Sequence, residues 1–326
     1  MEFKNVAHLL IVAPNWLGDA VMALPAIEDL ARAMPQTKLS VAARPAVAPL
    51  FTMVRSVQEV SVEPIRPGMA AAALLLRNSF HSALAVWRAG VPERWGYRTG
   101  FRSPLLTRGV SLPPTPLHQA EYYQYLVSSL GYPSGPLLPR LDPPPGAPAV
   151  GEEVLRAVGW DGRAPLVALA PGAAYGGAKR WPARSFAELA AALSREGIAT
   201  VLIGGAGDTP AAREVKQLFP GVLDATGRTD LPALAGVLVK CRGLVSNDSG
   251  AMHFGAALGV NVVAMFGPTD ERATRPLAAP EPVVLTHSVW CRPCLLRECP
   301  LTHACMRGIG VEAVRQAILP ALEGRV

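Results

Sequence analysis

The sequence predicts an α/β protein built from two doubly wound, Rossmann-like domains facing across a cleft. Three observations carry that expectation. Short β-type apolar runs alternate with helical patterns through nearly the whole chain, and a proline-rich interruption divides them into two series. At 326 residues the chain is long enough for two cores of ordinary size. Half of the residues are hydrophobic and only 17% are charged, which excludes extended disorder.

In the first half the expected strands are His8 to Ala13, Lys38 to Ala43, Glu59 to Glu63 and Ser82 to Trp87. They lack strict alternation, as strands covered by helices on both faces do. Between the first two lies a helical stretch, Asp19 to Met34, with Val21, Leu24, Ala26, Ile27 and Leu30 at helical spacing. Residues 141–148 hold four prolines and a glycine. Proline neither donates to a ladder nor continues a helix, so residues 143–148 read as an extended linker between domains 1–142 and 149–326. Beyond it, strands are expected at Leu166 to Ala170, Ala199 to Ile203, Gly243 to Ser246 and Val260 to Phe266. Helices are expected at Pro182 to Arg195, Thr209 to Leu218, Leu231 to Val239 and Ala251 to Leu258. The final helix is free to pack back on the N-terminal domain. No internal repeat is visible.

No secretory signal is apparent, because the apolar run Leu9 to Ala13 stops at Pro14 after five residues. The run Met69 to Leu76 is far too short to span a bilayer. The expectation is a soluble cytoplasmic protein, with peripheral contact at a membrane face left open. The net charge of +6 gives a mild bias toward anionic partners, whether nucleic acid, phospholipid or phosphorylated sugar.

The chemistry concentrates in strand-to-helix crossings. Pro171, Gly172 and Ala173 open a loop that continues through Gly176 and Gly177 to Lys179, Arg180, Trp181 and Pro182. Small residues let backbone amides approach a phosphate, a helix start adds partial positive charge, and Lys179 adds a full one. An ordinary flexible loop with a solvated Lys-Arg pair is the competing reading. Asn247, Asp248, Ser249 and Gly250 follow an apolar strand and open a small-residue helix bearing His253. One polar residue suffices as a helix cap, and this cluster exceeds that need. Gly267, Pro268 and Thr269 form a third polar turn at the same sheet edge. Three such loops in one domain point to a phosphate site.

In the first half, Asn15, Trp16, Leu17, Gly18 and Asp19 join the first strand to the first helix. A carboxylate at a helix N-terminus is favoured whatever its function. At a strand end facing the cleft, Asp19 is also placed to take a proton from an acceptor hydroxyl.

Together these motifs resemble the bacterial ADP-heptose:lipopolysaccharide heptosyltransferases, glycosyltransferase family 9. The matching stretches are 15–25, 77–84, 171–173, 178–182, 247–253 and 266–269, in order through both halves. Those at 78–80 and 178–182 are more similar to the second heptosyltransferase of core assembly than to the first. The resemblance implies a GT-B fold and an inverting displacement on ADP-heptose. Asp19 then matches the catalytic base, and Lys179 the lysine that neutralises donor phosphate. Asp248 and His253 match donor-binding positions, and the rest of the donor set is Gly18, Pro171, Gly172, Ala173, Asn247, Ser249, Gly250, Gly267, Pro268 and Thr269. Asp208 is the nearest carboxylate to the ribose-contacting position. Asn15, Trp16, Asn78, Ser79, Arg98 and Arg102 fall to the acceptor, a phosphorylated lipopolysaccharide core. The resemblance demands no metal and no cofactor beyond the donor.

Two segments stay open. Arg88, Arg94, Arg98, Arg102 and Arg108 are interleaved with Trp95, Tyr97 and Phe101. They read as a solvated basic loop or as a landing strip for a phosphorylated, lipid-linked acceptor. The composition also suits single-stranded nucleic acid, but no nucleic-acid module accompanies it. Cys291, Cys294, Cys299 and Cys305 crowd one stretch, where zinc, disulfides or reduced thiols compete. The second pair lacks the tight spacing of a closed zinc site. Alternatives to heptosyl transfer are a GT-B transferase or epimerase using another nucleotide sugar, and a non-catalytic nucleotide-sugar binder.

Overall fold

The structure, a computed structural model, describes residues 6–323. The chain divides after Asp142 into two compact units. The first contains β1 (His8–Val12), α1 (Leu17–Met22), α2 (Leu24–Ala33), β2 (Lys38–Ala43), α3 (Ala48–Phe51) and β3 (Glu59–Val62). It continues with β4 (Ala72–Leu75), α4 (Phe80–Arg88), β5 (Glu93–Tyr97), β6 (Arg108–Val110) and α5 (Gln119–Ser129). The second contains α6 (Ala147–Ala157), β7 (Leu166–Ala170), α7 (Ala183–Arg195), β8 (Ala199–Leu202), α8 (Thr209–Leu218), β9 (Leu223–Asp224) and α9 (Leu231–Lys240). After these come β10 (Gly243–Asn247), α10 (Gly250–Ala257), β11 (Asn261–Phe266), α11 (Glu271–Thr274), β12 (Val283–Thr286), α12 (Ala304–Arg307), α13 (Val311–Ile318) and α14 (Pro320–Glu323).

Each unit is built on a six-stranded sheet, β3-β2-β1-β4-β5-β6 in the first and β12-β11-β10-β7-β8-β9 in the second. Every pairing is parallel. Counted from its own first strand, each sheet has the Rossmann order 3-2-1-4-5-6, which reverses between β1 and β4 and again between β7 and β10. Leu9, Leu10, Ile11 and Val12 of β1 and Leu166, Val167, Ala168 and Leu169 of β7 are all buried. Helices on both faces explain why these strands read as continuous apolar runs. In the second unit α13 packs on α7, β10 and β11, and its Val314 and Ile318 join the core around Leu189 and Met265.

Several expected elements are corrected. Residues 82–87 are not a strand but most of helix α4. Ser79 caps that helix by accepting a hydrogen bond from Ser82 N at 3.2 Å, and Ser82, Ala83 and Val86 face inward at helical spacing. The missing strand is β4, inside the apolar run Met69 to Leu76. The basic stretch after residue 88 is no loop either, since it supplies β5 and β6. Helix 19–34 is two helices, with Pro25 in the first turn of α2. The linker is shorter than 143–148, because α6 begins at Ala147 with Pro148 in its first turn and Gly146 in the left-handed region.

Candidate functional site

In the second unit the candidate donor loops leave the C-terminal ends of β7, β10 and β11. Those of β7 and β10 flank the switch point, where open α/β sheets bind ligands. The β7 loop starts at Pro171 and reaches α7 at Pro182, and one side chain pins both its ends. Asn247, fully buried at the end of β10, donates through Nδ2 to Pro171 O (2.8 Å) and Gly172 O (3.4 Å). Its Oδ1 accepts from Trp181 N (2.9 Å). Trp181 is anchored in the core, with its indole N–H donating to Ile309 O. Lys179, two residues before it, is thereby presented to the sheet edge. Its Nζ lies 2.6 Å from Asp248 Oδ2, and the same oxygen accepts from Thr269 Oγ1 at 2.6 Å. The three loops thus meet at one ion pair, and Lys179 and Asp248 are both largely buried. A low-dielectric setting strengthens that attraction, and an anion entering there competes with Asp248 for the ammonium.

The remaining expected donor residues take definite positions. A Cβ at Gly172 would fall on the Asp208 carboxylate, and one at Gly267 on the Met306 side chain, so close packing demands both glycines. Asp208 Oδ2 accepts from Gly205 N, which ties it to its own turn under the β7 loop. Ser249 stands at the N-cap of α10 without capping it, and its hydroxyl meets Ser246 Oγ at 3.2 Å. Gly250 opens α10, His253 is buried in that helix, and Ala173 is buried in the β7 loop. Asn247 spends both of its amide hydrogens and one acceptor position of Oδ1 on backbone.

The cysteine-rich segment folds over these loops, which sequence reasoning missed. Arg297 O accepts from Ala178 N (2.9 Å), Glu298 Oε1 from Gly177 N (2.9 Å), and Pro268 O from Leu295 N (2.8 Å). Arg292 Nε donates to Gly267 O, and His303 Nε2 to Ala178 O. Tyr175 O–H donates to Leu295 O, while its ring receives Lys179 Nζ at 4.8 Å from the centroid. Beside the loop is a cavity of about 210 Å³ lined by Arg180, Glu214, His303 and Arg307. The five cysteines are free thiols. Burial, reinforced by the nearby Cys291, Cys299 and Cys294, pushes the Cys305 thiol above its ordinary range. Among the described residues no three His, Cys, Asp or Glu side chains are gathered to hold a metal ion.

In the first unit the corresponding loops leave β1, β4 and β5. Asp19 lies in the first turn of α1 with Gly18 before it, and its charge bears on buried Tyr123 of α5. Burial first, and that carboxylate second, hold the Tyr123 phenol protonated. Asn15 keeps its Oδ1 buried without a donor, and Trp16 is 61% exposed. Asn78 is engaged at both ends of its amide, donating to Tyr122 Oη (2.7 Å) and accepting from Arg102 (3.0 Å). Ser79 is the α4 cap already described.

Arg98 is exposed, as a landing strip requires, but Arg102 is not. Arg102 is 0% exposed, and its guanidinium donates to Tyr97 O, Arg77 O and Asn78 Oδ1. Burial pulls its pKa down to about 10, still far above neutrality. It braces the β4 and β5 loops from behind, so the surface contact expected of it gives way to an internal one. Arg94 is likewise spent, on Leu105 O and Val91 O, and Arg108 donates through Nη2 to Leu130 O. No helix among the described residues is long and apolar enough to cross a membrane.

Two parallel Rossmann-like sheets with polar loops at both switch points are the architecture of the GT-B class. The chain belongs to glycosyltransferase family 9 (heptosyltransferase), whose pattern matches residues 63–305. It is 30% identical over 305 residues to lipopolysaccharide heptosyltransferase 2 of Escherichia coli K12, covering 83% of this chain and 85% of that one. Lipooligosaccharide heptosyltransferase 2 of Haemophilus influenzae is 28% identical, with 83% and 86% covered. The structure of E. coli ADP-heptose LPS heptosyltransferase II superposes with a TM-score of 0.83 at 28% identity, over 97% of this chain and 98% of that one.

Proposed function

We propose that this chain transfers a heptose from ADP-heptose to the inner core of a lipopolysaccharide, with inversion at the anomeric carbon. The observation that carries the proposal is the Lys179–Asp248–Thr269 cluster at the sheet edge of the second unit, in a member of family 9. The acceptor hydroxyl oxygen attacks the anomeric carbon, and its proton passes to the Asp19 carboxylate. The bond from that carbon to the diphosphate oxygen breaks, and its electron pair leaves with ADP. A sugar hydroxyl is a poor nucleophile until its proton moves, which is the work given to Asp19. Lys179 and the loop amides stabilise the charge that develops on ADP.

Asn15, Trp16 and Arg98 form the acceptor side in this reading, with Arg102 holding Asn78 in place. Phe101, 95% exposed beside Arg98 at the end of β5, supports a lipid-linked, phosphorylated acceptor met at a cytoplasmic membrane face. The test is Asp19→Asn, with ADP release measured with and without acceptor. Wild type is expected to release ADP only when acceptor is added. The variant should bind ADP normally and lose transfer by about 100-fold or more. Near-normal turnover removes Asp19 from the mechanism, and acceptor-independent ADP release removes the transferase assignment.

A further inference from the structure

We propose that Arg297, from the cysteine-rich segment, is a second cation of the donor site and binds the diphosphate alongside Lys179. The inference rests on the reading of the second unit as the holder of a nucleotide diphosphate, and deepens it.

Lys179 alone leaves a charge deficit. Its ammonium is 2.6 Å from the Asp248 carboxylate, so the pair is neutral as a whole. A diphosphate brings more than one full negative charge, and a helix N-terminus such as that of α10 offers only about half a positive one. Loop amides supply part of the remainder, and a second cationic side chain would supply a full charge. Arg292 is already committed to Glu271 and to the carbonyls of Gly267 and Thr269. Arg180 instead lines the cavity that holds Glu214 and Arg307. Arg297 is exposed, and it has no carboxylate partner among the described residues. The neighbouring Glu298 turns Oε1 to Gly177 N.

Position agrees with charge. The Arg297 guanidinium carbon is 5.3 Å from the centroid of the Tyr175 ring, and Lys179 Nζ is 4.8 Å from the same centroid. One ring therefore lies against both cations, which are at most about 10 Å apart, so a ligand held by Lys179 comes within the reach of the Arg297 side chain. Backbone bonds fix the arrangement. Arg297 O accepts from Ala178 N, next to Lys179, and Leu295 O accepts from Tyr175 O–H. The segment that supplies Arg297 is thus fastened to the loop that supplies Lys179. A planar guanidinium also offers paired donors to phosphate oxygens, which an ammonium does not.

Calorimetric titration of the full chain with ADP and with adenosine tests this. In Arg297→Glu the ADP dissociation constant is expected to rise at least about tenfold, while Arg297→Lys stays within about threefold of wild type. Adenosine affinity and melting temperature should be unchanged, since the side chain is exposed and the nucleoside carries no phosphate. Wild-type ADP affinity in Arg297→Glu overturns the proposal, and so does an equal loss for adenosine, which marks a packing effect. If wild type itself binds no ADP, the donor reading fails, and this inference fails with it.

Discussion

At the end of β10 the carboxamide of Asn247 makes three hydrogen bonds, all to the backbone of one loop. Its place in a polar cluster suggested a donor ligand, and in the structure its amide hydrogens hold the loop that carries Lys179. Its effect on the site passes through Lys179, which the pinned loop presents to Asp248. Asn247→Asp keeps the shape but replaces a donor by an anion facing the carbonyls of Pro171 and Gly172. An unmade buried hydrogen bond costs about 1–3 kcal/mol, and a buried charge more. The variant should therefore melt earlier by at least about 2 kcal/mol and bind ADP more weakly at temperatures where it is folded. Thermal melting with and without ADP measures both. An unshifted melt with weakened binding would return Asn247 to the role of direct ligand. The motif was legible here and the loop-pinning bonds were not, because spacing tells which residues meet at a strand end but not which way an amide turns.

Between elements, the tightest approach is the crossing of α6 and α9. A Cβ at Gly151 would lie 2.1 Å from Gly236 C, and one at Gly236 would lie 1.9 Å from Ala147 O. The two backbones touch where glycines face each other, and no methyl group fits. Gly151→Ala is expected to lose about 1–3 kcal/mol by overpacking, despite alanine's better helix propensity. Denaturant unfolding measures it, and a stabilised variant would show that the helices separate without cost. Elements were legible where burial dictated the pattern, as in β1, β7 and β10. They were misread where side chains hid it. Arg94 lies along backbone carbonyls, and Arg108 stacks 5.2 Å from the Trp95 ring, so a row of arginines that looks like a solvated loop is the rim of two strands. Likewise the apolar segment 82–87 matched a strand by composition, and the Ser79 cap with the helical spacing of Ser82, Ala83 and Val86 marks it as helix.

Over the whole molecule, two sheets of identical strand order arise without any visible sequence repeat, since the order reflects packing rules rather than shared residues. Each order reverses once, and the loops legible in the sequence by their small and polar residues, after β1, β7 and β10, leave the strands that flank those reversals. Arg297 and Tyr175 were not legible, because a loop folding back across more than a hundred residues leaves no periodic trace. The division into two units carries its own prediction. If ADP binds the second unit alone, mass action stabilises that unit against unfolding and leaves the first as it was. At a free concentration one hundred times its dissociation constant, ADP contributes about 2.7 kcal/mol. Amides of β7 and β10 that exchange only by unfolding of their unit should then slow by about 100-fold, whereas those of β1 and β4 keep their rates. Hydrogen exchange read by mass spectrometry resolves the two sets. Equal slowing in both units would mean that they unfold as one body, and slowing confined to β1 and β4 would move the nucleotide site to the first unit.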